Sequence, residues 1–148
     1  MKSSLSTTFL FLLACSFSSP EASGQIRVSP SVSVTIRQHN DSLTGTFAHL
    51  TSIDRLPCAG YRIRTRVTRE RDTLSVHILG FLRPNPCATG FEEARGNAYL
   101  GSIGGGSYFL RVVDGVRHDL YSLKFELGKI TSANPIVQQF TILQSESP

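Results

Sequence analysis

Three features of this sequence predict an all-β domain, an antiparallel sandwich or barrel of about seven short strands. Apolar and polar residues alternate with period two over much of residues 31–125. Turn-forming clusters recur at roughly the 8–12-residue spacing of such folds, and helical periodicity is nearly absent. Of the two architectures, the sandwich is the expectation carried forward.

Val32, Val34 and Ile36 alternate with Ser33, Thr35 and Arg37, the pattern of a half-buried strand. The cluster His39-Asn40-Asp41-Ser42 predicts a turn, and a second strand is expected over 43–50, loosened by Gly45. Tyr61, Ile63, Thr65 and Val67 alternate with Arg62, Arg64, Arg66 and Thr68. After a charged turn at 69–72, Leu74, Val76 and Ile78 alternate with Thr73, Ser75 and His77, which predicts a hairpin. Pro84 and Pro86 place residues 83–87 in a loop, because proline lacks the amide donor and restricts the residue before it. Residues 90–95 are the one local helix candidate, a single turn. Tyr108, Leu110 and Val112 form one face of a strand, Asp114-Gly115 a hairpin turn, and Tyr121, Leu123 and Phe125 the returning strand. A last strand is expected over 136–143, with Val137, Phe140 and Ile142 inward.

The beginning of the chain predicts export. Lys2, a Ser/Thr-rich lead and the apolar run 9–14 fit a secretory signal, since the run is far shorter than the about 20 residues that span a bilayer. Two processing sites compete. Leu12-Leu13-Ala14-Cys15 matches a bacterial lipobox, which would lipidate Cys15, while Ala22-Ser23-Gly24 offers small-x-small cleavage before Gln25. Residues 1–24 therefore read as signal peptide and tether, and 25–148 as one domain. Its expected place is the bacterial cell envelope, lipid-anchored or periplasmic, or the medium as a secreted protein. Membrane contact is expected only through a lipid at Cys15. Asn40-Asp41-Ser42 is a glycosylation sequon that matters only in a eukaryotic source.

Either route removes Cys15 from the thiol count and leaves Cys58 and Cys87 to pair in an oxidising compartment. Closing a loop of about 30 residues contributes roughly 3–4 kcal/mol in the chain-entropy model. Neither cysteine adjoins a histidine or belongs to a Cys-x-x-Cys motif, which argues against a catalytic thiol.

Hydrophobic residues make up 40% of the chain and charged residues 18%, the balance of a folded domain and not of a disordered one. The net charge of +4, with twelve Arg against three Lys, favours acidic partners weakly. It lacks the concentrated basic stripe of a nucleic-acid binder.

Arg62, Arg64 and Arg66 project from one face of their strand because side chains alternate. Three guanidiniums roughly 7 Å apart, with His77 across the hairpin, make a polar platform suited to carboxylate, phosphate or sulfate. Aromatic residues do not interleave with this row, so a nucleic-acid platform is not expected. His39, His49, His77 and His118 lack metal-ligand spacing, and His118 and Asp119 point to opposite faces of one strand. Gly104-Gly105-Gly106 lacks the following Lys-Ser/Thr of a phosphate loop. No carboxylate pair or nucleophile elbow is present. The chain is thus expected to be a binding protein and not an enzyme, with no metal or cofactor, and to bind a protein or an anionic envelope polymer. The alternative is a small secreted inhibitor of a lytic enzyme or protease, acting through loop 82–88 or 103–107 stiffened by the disulfide.

The segment Leu100-Gly101-Ser102-Ile103-Gly104-Gly105-Gly106-Ser107-Tyr108-Phe109-Leu110-Arg111-Val112 resembles the Gly-x-Tyr-x-Leu-x-Val lead into a late strand of bacterial immunoglobulin-like and fibronectin-type-III-like domains. Asp114-Gly115 and Asp119-Leu120-Tyr121-Ser122-Leu123 continue the likeness. The resemblance implies an immunoglobulin-like sandwich in which the Tyr108 hydroxyl bonds back to the upstream loop as a tyrosine corner, and a role in adhesion or as an accessory module. The chain has no tryptophan and no cysteine two residues after Tyr108, so an antibody-type disulfide is excluded.

Overall fold

The computed structural model describes residues 30–39, 45–127 and 129–145. The signal and tether, Cys15 and the sequon at Asn40 lie outside the described residues. Nine strands follow one another: β1 Val32–His39, β2 Gly45–Leu56, β3 Arg62–Glu70, β4 Thr73–Leu82, β5 Glu92–Gly101, β6 Gly106–Asp114, β7 Arg117–Glu126, β8 Lys129–Val137 and β9 Thr141–Ser145. They form one sheet in the order β8-β7-β6-β4-β3-β5-β2-β1-β9, nearly closed into a barrel. The chain is all-β with a Cys58–Cys87 disulfide, and no helix occurs among the described residues.

The strand count is nine where about seven are expected, and the strands lie in one curved sheet, not clearly in two facing ones. Most neighbours are antiparallel, but β1 pairs with β9, β4 with β6 and β3 briefly with β5 in parallel. The β3–β4 hairpin pairs Glu70 with Thr73 and Val67 with Val76, and the β6–β7 hairpin pairs Asp114 with Arg117, as the alternation predicts.

The two unexpected strands, β5 and β8, are ones whose inward faces carry small residues or are only partly buried. Residues 92–95 belong to β5, not to a helical turn, and β5 turns Ala94, Ala98 and Leu100 inward. Gly96 allows β3 to approach closely: a Cβ there would lie 2.6 Å from the Ile63 carbonyl oxygen. Strand β8 is exposed along most of its length and carries Pro135, which an edge strand tolerates. The strand expected over 136–143 is broken at 138–140. Phe140 is buried as expected, but in the turn, and Ile142 is 48% exposed because β9 turns Thr141 inward.

The inward faces of β1 to β7 supply a single core. Val32, Val34, Leu50, Leu74, Val76, Leu110, Val112, Tyr121, Leu123 and Phe125 are essentially inaccessible to solvent. At roughly 25 cal/mol per Å² of apolar surface removed from water, this burial is the main favourable term of folding. Ile103, from the 102–105 loop, is also buried.

A polar latch holds the barrel's closing turn. Asp119 of β7, fully buried, accepts the amides of Gln139 (2.7 Å), Phe140 (3.1 Å) and Thr141 (2.7 Å) and the Thr141 hydroxyl (2.5 Å). Tyr121 donates to the Thr141 carbonyl at 2.8 Å, with its hydroxyl 2.6 Å from the Thr141 Oγ1. Burial raises the Tyr121 pKa above its usual 10.0; the Thr141 hydrogen bond opposes this and the Asp119 charge adds to it. The Phe140 carbonyl accepts from Val32 at 3.0 Å, and the Arg117 guanidinium covers the Phe140 ring at 4.6 Å. These contacts tie β9, and through it β1, to β7 across the seam that the ladder leaves open. Ser52, the cross-strand partner of Val32, spans an irregularity between β2 and β5, donating to the Asp54 carbonyl (2.7 Å) and accepting from the Ala94 amide (2.8 Å).

Candidate binding face

Strand β3 crosses the middle of the sheet with Ile63 buried on one side and Arg62, Arg64 and Arg66 exposed on the other. Their Cα partners on β4 are Leu82, Gly80 and His77. A register shift between Arg64 and Thr65 leaves Leu79 as the extra residue, 54% exposed. His77 therefore stands beside Arg66, half-buried, with its Nε2 3.2 Å from the Thr68 hydroxyl. The predicted row and its histidine are brought together.

Two further arginines extend the face, neither legible from local sequence. Arg95 of β5 is the Cα partner of Arg62 in the parallel pairing, so two exposed guanidiniums emerge from neighbouring backbone positions. Arg111 of β6 pairs with Ser75, which in turn pairs with Thr68. Among the described residues, Arg62, Arg64, Arg66, Arg95 and Arg111 form no ion pair; arginine ion pairing is seen instead at Arg117 with Asp114, 2.6 Å. Like charges on adjacent strands repel, and Arg62 and Arg95 are such a pair. Among the described residues there is no group of three His, Cys, Asp or Glu side chains placed to hold a metal ion.

The disulfide lies at one end of the barrel. Cys58 is buried and Cys87 exposed, 5.5 Å apart at Cα, joining loop 57–61 to loop 83–91. The Ala59 amide donates to the Ala88 carbonyl at 3.3 Å, and the Gly60 amide to the Glu92 carboxylate at 2.9 Å. Leu82 (46%) and Phe91 (67%) are exposed there. The strand directions place loop 103–107 at the opposite end, beside the β3–β4 turn, so the two loops considered for an inhibitor cannot share one contact.

Tyr108 presents its ring and not a backbone latch. It meets Phe125 edge-on at 5.6 Å and lies under the Arg69 guanidinium at 5.7 Å. The hydroxyl-to-backbone bond expected of Tyr108 is made instead by Tyr121. His118 is exposed and Asp119 buried, on opposite faces as the alternation requires.

No known protein family, no curated protein and no solved structure matches this chain.

Proposed function

We propose that this chain is an exported, non-enzymatic binding module of a bacterial cell envelope, held by a lipid at Cys15 or released by cleavage after residue 24, that binds an anionic partner through the outer face of β3, β4 and β5. The observation that carries the reading is the exposed cluster Arg62, Arg64, Arg66 and Arg95, free of intramolecular ion pairs among the described residues and flanked by His77. A guanidinium fork matches carboxylate, sulfate or phosphate geometry, and an unpaired one loses no internal partner on binding. The proposed kinship with immunoglobulin-like exported sandwiches, carried by residues 100–123, agrees with an accessory or adhesive role.

The test is retention of the purified chain on a carboxylated polymer resin as salt is raised, beside a variant with Arg62→Gln, Arg64→Gln and Arg66→Gln. Three exposed charge contacts of roughly 0.5–1 kcal/mol each correspond to a roughly 10- to 100-fold weaker affinity for the variant at low salt. Equal retention of both proteins would refute the basic face as the working surface.

A second reading, a secreted inhibitor of a lytic enzyme or protease, is favoured by the stapled 83–91 loop and its exposed Leu82 and Phe91. It calls for tight, salt-tolerant binding that survives the triple substitution.

A further inference from the structure

Next to the end of the arginine row, the outer face of β3, β4 and β6 forms an open depression of ≈ 590 Å³. Its lining combines five kinds of group. The β3–β4 register sets Thr68 beside Ser75 and Glu70 beside Thr73, and the β4–β6 register sets Arg111 beside Ser75 and Phe109 beside Thr73. Adjacent strands lie about 4.8 Å apart, and alternate residues along one strand roughly 7 Å apart. One compact patch therefore holds hydroxyls, carboxylates, guanidiniums, an imidazole and an aromatic ring. Phe109 is 42% exposed, high for a phenylalanine in mid-sheet, and its accessible side belongs to this depression.

The guanidiniums of Arg71 and Arg111 are offset by the carboxylates of Glu70 and Asp72, so a bare anion gains little net attraction. An apolar ligand would leave the hydroxyls and charges unpaired, at a cost. A pyranose ring fits both sets. Its hydroxyls donate to the carboxylates and accept from the Ser, Thr and Arg donors, while its C–H face lies on the negative face of an aromatic ring. His77 joins this depression to Arg66 and so to the row Arg62–Arg64–Arg66.

We propose that the depression bordered by Thr68, Glu70, Ser75, His77, Phe109 and Arg111 is a saccharide subsite, and that the anionic partner is an acidic glycan of the polyuronate type. One sugar ring is seated against Phe109 and the carboxylates of neighbouring rings meet the β3 arginines. The proposal rests on the basic-face reading and narrows it from any polyanion to a carboxylated sugar chain.

The test compares hexagalacturonate with a hexaglutamate peptide of the same charge, by calorimetric titration into the full chain and into Phe109→Ala, Arg111→Gln and the triple arginine variant. Circular dichroism confirms that each variant folds; Phe109 and Arg111 both project outward, so the core is untouched. The expected result is that Phe109→Ala weakens hexagalacturonate at least 10-fold and leaves hexaglutamate within twofold, while the triple variant weakens both. If Phe109→Ala and Arg111→Gln change neither probe, or change both equally, the saccharide subsite is overturned while the basic face stands. If neither probe binds the native chain at low salt, the basic-face reading fails and the subsite with it.

Discussion

Replacing Asp119 by alanine removes the acceptor for three backbone amides and one hydroxyl at the turn that carries β9. The Gln139 amide is next to solvent and finds water. The Thr141 hydroxyl turns toward Tyr121, 2.6 Å away. The amides of Phe140 and Thr141 are buried and have no substitute. Each unsatisfied buried donor costs roughly 1–3 kcal/mol, and breaking a buried charged network costs roughly 3–5 kcal/mol. A loss of about 3–4 kcal/mol is therefore expected. With a urea m-value of roughly 1.5 kcal/mol per M for a domain of this size, the midpoint falls by about 2 M. The chain has no tryptophan, so unfolding is followed by far-ultraviolet circular dichroism. Asp119→Asn should lose less, because one carboxamide oxygen can still serve Phe140 and Thr141. A loss below about 1 kcal/mol for Asp119→Ala, or equal losses for alanine and asparagine, would refute the latch as the element that closes the barrel.

Tyr121→Phe should cost roughly 1 kcal/mol at neutral pH, and it should change the alkaline limb. The folded-state pKa of Tyr121 lies above the ordinary 10.0. Its contribution is fully present below that value and is lost as pH rises through the folded pKa, since the unfolded chain releases the proton first. The native chain should therefore lose stability more steeply above pH 10.0 than the phenylalanine variant, as measured by urea midpoints from pH 8 to 11. Gly96→Ala should destabilise by about 1–3 kcal/mol through the clash with Ile63; Gly104→Ala, with nothing within 4 Å of its added methyl, should stay within about 0.5 kcal/mol, both read from urea midpoints. Replacing both Cys58 and Cys87 by alanine opens a link of sequence separation 29 and should cost roughly 3–4 kcal/mol in chemical denaturation.

The sequence is informative where strands have one apolar and one polar face. The β3–β4 and β6–β7 hairpins, the arginine row and the cysteine pair all follow from local alternation or compartment chemistry. The alternation weakens where the inward residues are Ala94 and Ala98, which carry little hydrophobic signal, or where an edge strand such as β8 buries its inward residues only in part. Residues 90–95 are expected as a helical turn, and only the neighbouring β2 and β3 make 92–95 part of a strand. Asp119 did leave a trace: it shares the inward register of Tyr121, Leu123 and Phe125, where a lone carboxylate must find buried donors. Its donors, at 139–141, come from a turn that no local pattern marks. The same holds for the binding face. Arg95 and Arg111 join the row through sheet neighbours far away in sequence, and that adjacency is a property of the strand order.

The most direct measurement of where this molecule binds is an amide-shift map of the isotopically labelled chain, recorded as hexagalacturonate is added at low salt. Shifts concentrated in β3, around His77, and at Arg95 and Arg111, and reversed by added salt, are the expected result. Shifts concentrated instead in loop 83–91 near the Cys58–Cys87 bridge, or absent from β3 altogether, would contradict the assignment of the arginine face as the working surface.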